Sequence, residues 1–257
     1  MRRFAERLFF RCFSRDEVTR IIKKRFNIDT LPAGLTYSQD GLYTVHNADF
    51  VIEPRFAQSY QKGKNTLSWG NADIHWRAYT ACWAADKAKK LEGDFVECGV
   101  NKGGLAITVL HYAGLQHSDK NFYLLDTFSG LVEEYISEDE KKMGIKPGNY
   151  TDCYEEVKER FAPYPNVKII KGAIPGTLEM VKAEKVAYLS IDMNCVEPEI
   201  AAAEFFWPKM VPGAVIVLDD YGWRKHIGQK KAFDAFAQAR GVQVFSLPTG
   251  QGMIIKP

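Results

Sequence analysis

Three acidic side chains in the C-terminal half of the chain follow apolar runs that are typical of strands. Asp192 ends one run, and Asp219 and Asp220 end the next. Neighbouring strands lie about 4.8 Å apart, so these carboxylates would crowd together if the two strands pair. Crowded carboxylates raise one another's pKa unless a cation lies among them, and oxygen ligands suit Mg²⁺ or Mn²⁺. The pattern therefore predicts a divalent metal site at Asp192, Asp219 and Asp220.

One geometric condition applies to the adjacent pair Asp219 and Asp220. Consecutive strand residues point to opposite faces of a sheet, so both can bind one metal only if the chain leaves strand geometry there. Gly222, shortly afterwards, favours such a departure. The alternative is that one of these carboxylates caps the following helix or pairs with Arg224 or Lys225.

An acidic residue followed by G-x-x-x-G lies between a predicted strand and a predicted helix, within DFVECGVNKGG at 94–104. Gly99 and Gly103 would let the backbone approach a ligand, and the start of the helix favours a negative group such as a carboxylate. Glu97 is the acidic residue of this motif. The spacing differs from the G-x-G-x-x-G of nicotinamide-binding proteins. A tight turn without a ligand is the alternative.

Two further segments complete a predicted pocket for a nucleoside-bearing cofactor. Asp126 ends the second predicted strand, in a turn with Ser129. Its carboxylate can accept both hydrogen bonds of a ribose diol. Gly172 and Ala173 follow the third predicted strand and would border an adenine, although a plain turn fits these residues equally well.

These residues are positioned by a regular alternation of strand-like and helix-like segments, which predicts an α/β fold with a parallel sheet between two layers of helices. The predicted strands are 95–100, 122–125, 167–170, 186–191 and 214–218, and the predicted helices are 72–91, 105–113, 154–161, 175–181, 197–206 and 228–240. Two last strands, 242–247 and 253–256, are too close in sequence for a helix between them and must pair antiparallel. The prediction is a Rossmann-like class I methyltransferase domain over 71–257, with a seven-stranded doubly wound sheet that ends in an antiparallel hairpin.

The segment before this domain, residues 1–70, is predicted to be an extension. Residues 1–27 have the pattern of a basic amphipathic helix, with capping-box spacing between Ser14 and Glu17. Its apolar face predicts packing on a partner subunit, with a homodimer as the first expectation, or on its own domain. Peripheral docking on an anionic membrane is the alternative. Residues 31–70 are predicted to be irregular, so that His46 could reach over the site and touch an acceptor.

Composition narrows the classes of function. With 257 residues, of which 46% are hydrophobic, the chain can bury a large core. Its 34 Lys and Arg against 32 Asp and Glu give a net charge of +2, which provides no general attraction to nucleic acid. The five cysteines form no C-x-x-C pair, and no apolar run reaches membrane-spanning length. We therefore expect reduced thiols and a cytoplasmic location.

The segments that carry these motifs resemble the macrocin O-methyltransferase family, from about residue 93 to the end and more loosely from residue 41. The resemblance lies in 94–104, 126–130, 171–178, 190–192, 212–222 and 228–236. It implies Mg²⁺-dependent methyl transfer from S-adenosylmethionine to a sugar hydroxyl, with Asp192, Asp219 and Asp220 as metal ligands. It also implies an oligomer whose N-terminal region helps to cover the site. The chain departs from the family pattern at Met193-Asn194, where many members have a second Asp followed by Leu and Tyr.

The expected mechanism depends on positioning, because the acceptor oxygen must lie behind the methyl carbon and opposite the departing sulfur. A metal-bound hydroxyl would be oriented and acidified, and Asp192 could accept its proton. His226 is a second candidate acid or base, although a surface histidine is the more common outcome. Two alternatives remain open: an NAD-dependent oxidoreductase on a similar sheet, and a non-catalytic nucleotide-binding subunit of glycan assembly.

Two other segments have both a structural and a functional interpretation. Trp69, Trp76 and Trp83 recur every seven residues, which predicts packing along a helix, with sugar stacking as the alternative. The acidic segment 133–142 interrupts the alternation of strands and helices. It could form a lid that excludes water from the site, or a solvated loop.

Overall fold

The computed structural model describes residues 34–148 and 150–257, together with Glu17 and Arg20. The helix predicted over 1–27 lies, apart from those two residues, outside the described part. Contacts divide the chain into two units, residues 1–51 and 52–257. In the smaller unit, the described residues form an antiparallel hairpin of β1 (Tyr37–Gln39) and β2 (Leu42–Thr44), joined at Asp40 and Gly41. His46 lies just after this hairpin.

A seven-stranded sheet forms the centre of the larger unit. Its strands are β3 (Asp94–Cys98), β4 (Phe122–Asp126), β5 (Val167–Lys171), β6 (Val186–Ile191), β7 (Met210–Leu218), β8 (Phe245–Ser246) and β9 (Gly252–Ile255). The order across the sheet is β5-β4-β3-β6-β7-β9-β8. Five strands run parallel, whereas β9 is antiparallel to both β7 and β8. The predicted doubly wound sheet with a C-terminal hairpin is therefore confirmed, although β8 is shorter than its prediction.

Seven α-helices are present in the described residues: α1 (Pro54–Lys64), α2 (His75–Ala88), α3 (Gly104–Ala113), α4 (Glu138–Lys142), α5 (Tyr154–Phe161), α6 (Val196–Phe206) and α7 (Ile227–Gln238). In none of them is an apolar stretch long enough to cross a membrane. The helix predicted over 175–181 is wrong, because that segment contains a short 3-10 turn, Leu178–Met180, instead.

Helix α1 corrects the prediction that residues 31–70 are irregular. Pro54 occupies its first turn, and the Glu53 side chain accepts hydrogen bonds from the amides of Arg55 and Phe56. Proline is favourable at this position because its fixed φ suits a helix and the missing N–H would have no partner there. The helix packs on α3, where a Cβ added to Gly63 would lie 2.0 Å from Thr108 Oγ1. Residues 52–70, expected in the extension, thus belong to the larger unit.

The register of the central strands places their carboxyl ends at one edge. Cys98 of β3 pairs with Ile191 of β6, which in turn pairs with Leu218 of β7. All six residues of β6 are buried, as expected for a central strand that is covered on both faces. Residues that directly follow these strands therefore lie close together at the same edge of the sheet.

Candidate functional site

A cleft opens at the carboxyl ends of β3, β4 and β6, and it includes about 1200 Å³ of space together with its open mouth. Its walls come from the loops after these strands, including 127–135 and 150–153, and from one segment distant in sequence, 68–77. Among the predicted site residues, the cleft is lined by Glu97, Gly99, Asp126, Gly172, Ala173, Asp192 and Asp219. Clefts in which apolar side chains surround a few polar groups are the usual sites for small-molecule ligands.

On the cofactor side of the cleft, Asp126 organises the loop after β3. Its Oδ2 accepts hydrogen bonds from the amides of Val100, at 2.5 Å, and Asn101, at 2.8 Å. Its Oδ1 accepts one from the amide of Phe128, at 2.6 Å. Both oxygens are therefore already engaged by backbone donors, and less capacity remains for a ribose diol than the sequence suggested.

The start of α3 also differs from the prediction. The amide of Gly104, in the first turn, donates to Ser68 Oγ at 2.8 Å, so this position is already capped by a side chain. A Cβ added to Gly103 would lie 2.6 Å from the Phe161 ring, and φ of Gly103 is +78°. Gly103 is thus required for turning and packing, and it does not line the cleft.

Glu97 is the buried acidic group of the cofactor side. Its side chain is 1% exposed, and neither carboxylate oxygen makes a hydrogen bond of normal geometry to the described residues. Burial, followed by the charges of Asp126 and Asp219, raises the pKa of Glu97 well above its ordinary value. An unsatisfied carboxylate in a cleft wall favours a ligand with a hydrogen-bond donor or a positive charge.

At the adjacent edge, Asp192, Asp219 and Asp220 each offer an oxygen, and these oxygens all lie within 4.8 Å of one another. Strand β7 ends at Leu218, and the chain bends at the two following residues. The geometric condition for adjacent aspartates to face one site is therefore met. The three side chains that the sequence pattern predicted to cluster do cluster.

This acidic cluster, Asp192, Asp219 and Asp220, is electrostatically unfavourable without a counter-charge. Burial, followed by Asp219 and Asp220, raises the pKa of Asp192 well above its usual range. Burial and then Asp219 raise the pKa of Asp220 to about 7. The Oδ2 of Asp220 is buried and has no hydrogen-bond partner in the described residues. Such a donor set of carboxylate oxygens fits a hard divalent cation.

Asp219 differs from the other two aspartates of the cluster, because side chains distant in sequence bind both of its carboxylate oxygens. Arg77 Nη1 donates to Oδ2 at 2.5 Å, and Gln251 Nε2 donates to Oδ1 at 3.0 Å. Neither Arg77 nor Gln251 was identified from the sequence. Nothing in the local pattern around either residue indicates that it meets a carboxylate far away along the chain.

His226 lies behind the cluster and does not line the cleft. Its side chain is buried, so it is not a surface histidine. Nδ1 is 2.6 Å from Gln229 Oε1, and Gln229 Nε2 donates to Glu199 Oε1 at 2.9 Å. His226 Nε2 faces Asp220 Oδ2 at 3.8 Å. The position suits a residue that orients Asp220 better than one that touches an acceptor.

The remaining candidates are divided between the cleft and the surface. Ser129 is exposed and does not line the cleft. Trp69 lines the cleft, whereas Trp76 and Trp83 do not, and Trp83 is 41% exposed. Of the tryptophan series, Trp69 alone is placed where it could contact a ligand.

The segment 131–148 lies against the body of the larger unit. Leu131, Val132 and Tyr135 line the cleft. Glu140, in α4, forms a capping box with Ser137, and its Oε1 accepts a hydrogen bond from the amide of Val196 at the start of α6. Because it is docked through the buried Glu140 carboxylate, this segment is not a freely solvated loop, and it forms part of the cleft wall.

Solved structures similar to this chain place the fold in a known class. The O-methyltransferase NovP is 20% identical, with a TM-score of 0.61, over 70% of this chain and 79% of that chain. CalS11, a calicheamicin methyltransferase, is 13% identical, with a TM-score of 0.56, over 82% of this chain and 98% of that chain. An O-methyltransferase from Bacillus cereus in complex with SAH is 14% identical, with a TM-score of 0.50, over 79% and 91%. The chain has the class I O-methyltransferase fold.

The family follows from the sequence. The profile of the family described as Macrocin-O-methyltransferase (TylF) matches residues 75–245, and the chain belongs to this family. A relative from Streptomyces olivaceus, 8-demethyl-8-(2,3-dimethoxy-alpha-L-rhamnosyl)-tetracenomycin-C 4'-O-methyltransferase, is 26% identical over 144 residues. That alignment covers 52% of this chain, and the chain spans about half, 55%, of the length of this relative.

Proposed function

We propose that this protein is a metal-dependent O-methyltransferase that transfers a methyl group from S-adenosylmethionine to a hydroxyl group of a sugar. The observation that carries the proposal is the cleft itself, which joins the loop organised by Asp126 to the acidic cluster. A cofactor pocket and a cluster of oxygen ligands in one cleft suit a reaction in which the acceptor must be both oriented and deprotonated.

The residues of the cofactor side fit S-adenosylmethionine. This cofactor supplies a methyl group on a positively charged sulfur, and it also carries an ammonium group. The buried, unsatisfied Glu97 complements positive charge, and the loop held by Asp126 forms the adjacent wall. Gly172 and Ala173 line the same cleft after β5. Support also comes from the solved neighbour that holds SAH.

The residues of the acidic cluster fit Mg²⁺ or Mn²⁺, with Asp192, Asp219 and Asp220 as ligands. Bound there, such an ion would orient an acceptor hydroxyl and lower its pKa. Asp192 is our choice for the general base, because it lines the cleft while Asp220 does not. Asp219 is less suited, since Arg77 and Gln251 already hold both of its oxygens.

A sugar is the proposed acceptor class. The named activity of the relative from Streptomyces olivaceus is methylation of a rhamnosyl compound, and the family is named for methylation of macrocin. In this chain, the aromatic residues Trp69, Tyr135 and Tyr150 are among those that line the cleft. Such rings suit the apolar faces of a pyranose.

The antiparallel β9 and the glycine spacing argue against the NAD-dependent oxidoreductase. Turnover distinguishes the proposed enzyme from a non-catalytic nucleotide-binding subunit. Purified protein would be incubated with labelled S-adenosylmethionine, Mg²⁺ and a panel of nucleotide sugars and glycosylated small molecules. The proposal expects label in a sugar product. Binding of SAH without transfer to any member of the panel would favour the binding subunit, and stabilisation by NAD but not by SAH would favour the oxidoreductase.

The proposal includes a homo-oligomer in which residues 1–51 contribute to self-association or to covering the site. Deleting residues 1–27 should lower the mass that light scattering measures. If the truncated protein keeps the mass expected for the parent assembly and loses sedimentation with anionic liposomes, the membrane alternative is correct instead.

A further inference from the structure

Arg77 provides a positive charge within the acidic cluster. It lies on α2, and its side chain, which is 18% exposed, donates to Asp219 Oδ2 at 2.5 Å. The guanidinium carbon also lies 5.7 Å from the centre of the Trp223 ring. Because its partner is 7% exposed, the ion pair is shielded from solvent. Shielding makes its charge count for more than that of a surface pair.

The position of Asp219 does not depend on Arg77 alone. Gln251 is fully buried and donates to the other oxygen of Asp219. The Gln251 amide is oriented by Thr249, whose hydroxyl donates to Gln251 Oε1 at 2.9 Å. A neutral hydrogen bond and a charged one thus hold the same carboxylate. The effect of charge can therefore be separated from the effect of geometry by changing them one at a time.

Arg77 determines the net charge of the acidic cluster. The three carboxylates carry three negative charges when ionised, and the Asp219–Arg77 pair cancels one of them. The two charges that remain match one divalent cation. A cation among these oxygens would also lie close to the guanidinium and be repelled by it, and the repulsion grows in proportion to the charge of the cation.

We propose that Arg77 is a positioning residue that sets the charge of this site. It makes the cluster selective for a divalent over a trivalent cation, and it holds the affinity for both below that of the bare carboxylates. The inference rests on the proposed metal site and adds a residue to it that is not itself a ligand.

The test uses Arg77→Gln, Arg77→Lys and a matched control, Gln251→Met, which removes the neutral hydrogen bond to Asp219 without a change in charge. Mn²⁺ binding would be measured by electron paramagnetic resonance and Tb³⁺ binding by luminescence, both without acceptor. Arg77→Gln should bind Mn²⁺ at least about tenfold more tightly than the parent, and its gain for Tb³⁺ should be larger still. Arg77→Lys keeps the positive charge and should remain within about threefold of the parent, and Gln251→Met should bind neither ion more tightly.

A second pair of variants covers the case in which Arg77→Gln does not fold. Asp219→Asn leaves Arg77 unpaired beside two carboxylates and should weaken Mn²⁺ binding at least about a hundredfold. The double variant Arg77→Gln/Asp219→Asn has the net charge of the parent. It should bind Mn²⁺ at least about tenfold more tightly than Asp219→Asn. SAH-induced stabilisation in the same samples reports folding.

Unchanged or weaker Mn²⁺ binding by a folded Arg77→Gln, or an equal gain for both ions, would overturn the role of Arg77. So would a double variant that recovers nothing. In each of these cases the parent still binds Mn²⁺, and the proposed function stands. A parent that binds SAH but no Mn²⁺ gives a different result, since it removes the metal site and the inference together.

Discussion

Two regions of the cleft hold their carboxylates through different donors: the cofactor side around Asp126, and the acidic side, which is the acidic cluster with its partners. On the cofactor side, Asp126 is held by three backbone amides from the loops after β3 and β4. On the acidic side, Asp219 is held by side chains from α2 and from the turn before β9, and Asp220 keeps an unsatisfied oxygen. Backbone donors are fixed by the fold, whereas the acidic side needs further positive charge. The loop held by Asp126 should therefore respond to changes in the backbone. The acidic cluster, and the unsatisfied Glu97 of the cofactor side, should respond to changes in charge.

The largest effect should come from Gly99→Ala, where the two sides meet. A Cβ there would lie 1.8 Å from the carbonyl oxygen of Asp192, and φ of Gly99 is +89°. We expect the free energy of unfolding to fall by about 4 kcal/mol, from overpacking plus strain at positive φ. Gly114→Ala is the matched control, because Gly114 has a φ of +75° and nothing within 4 Å of an added Cβ. If urea denaturation shows that both variants lose the same free energy of unfolding, the contact with Asp192 contributes nothing to the destabilisation.

Asp192→Asn should separate the two sides in function. The variant keeps the shape of the side chain but removes one charge and the proposed base, so kcat should fall at least about 100-fold. The affinity for SAH should change less than about threefold, since Asp192 belongs to the other side. Asp139→Asn, at a side chain that is 91% exposed, serves as the control. A comparable loss of SAH affinity, measured by calorimetry, would show that the two sides are not separate.

Asp126→Ala should weaken cofactor binding and leave metal binding nearly unchanged, whereas Asp192→Asn should leave cofactor binding nearly unchanged and lower kcat. Three backbone amides lose their acceptor, so the loop that carries Val100 and Asn101 should loosen and the cofactor should bind more weakly, by about 2 kcal/mol. Asp126→Asn retains one acceptor oxygen and should show an intermediate loss. Metal affinity should remain close to that of the parent in both variants. Unchanged SAH affinity in calorimetry would remove Asp126 from the cofactor side.

The smallest effect should be a pH dependence of the metal-free protein that comes from the acidic side. Burial raises the pKa of Asp220 to about 7 and, with the nearby Asp220, that of Glu199 to about 8. A raised folded-state pKa means that the folded protein binds more protons than the unfolded chain, so stability is lost as pH rises through these values. We expect the free energy of unfolding to fall between about pH 6.5 and pH 8.5 in chelator, the interval set by these two pKa values. Mg²⁺ should reduce this loss, and a metal-free stability that rises over the same interval would contradict the sign.

Much of the fold was predictable because the strands of the sheet are short apolar runs with clear boundaries. The strand over Val186–Ile191 was predicted to the residue. Helix α1 was missed because Pro54 and Gly63 look like interruptions, whereas Pro54 begins the helix and Gly63 permits close packing on α3. Here the identity of a residue does not reveal its position within an element.

The candidate site was predictable only where its residues lie at the carboxyl ends of strands or directly after them. Asp192, Asp219 and Asp220 could be grouped because parallel strands end at one edge of a sheet. Arg77 and Gln251 reach Asp219 from other elements, and no periodicity in the sequence joins them. The buried position of His226 was equally unpredictable, because it depends on the partners Gln229 and Glu199, which lie on two different helices.

The central claim is that one cleft joins methyl transfer to a divalent cation at Asp192, Asp219 and Asp220. The most direct test measures transfer of a labelled methyl group to a sugar acceptor by protein stripped with a chelator, before and after Mg²⁺ is restored. The account predicts that turnover is lost in chelator, returns with Mg²⁺, and does not return in Asp192→Asn. Full turnover in excess chelator would contradict it.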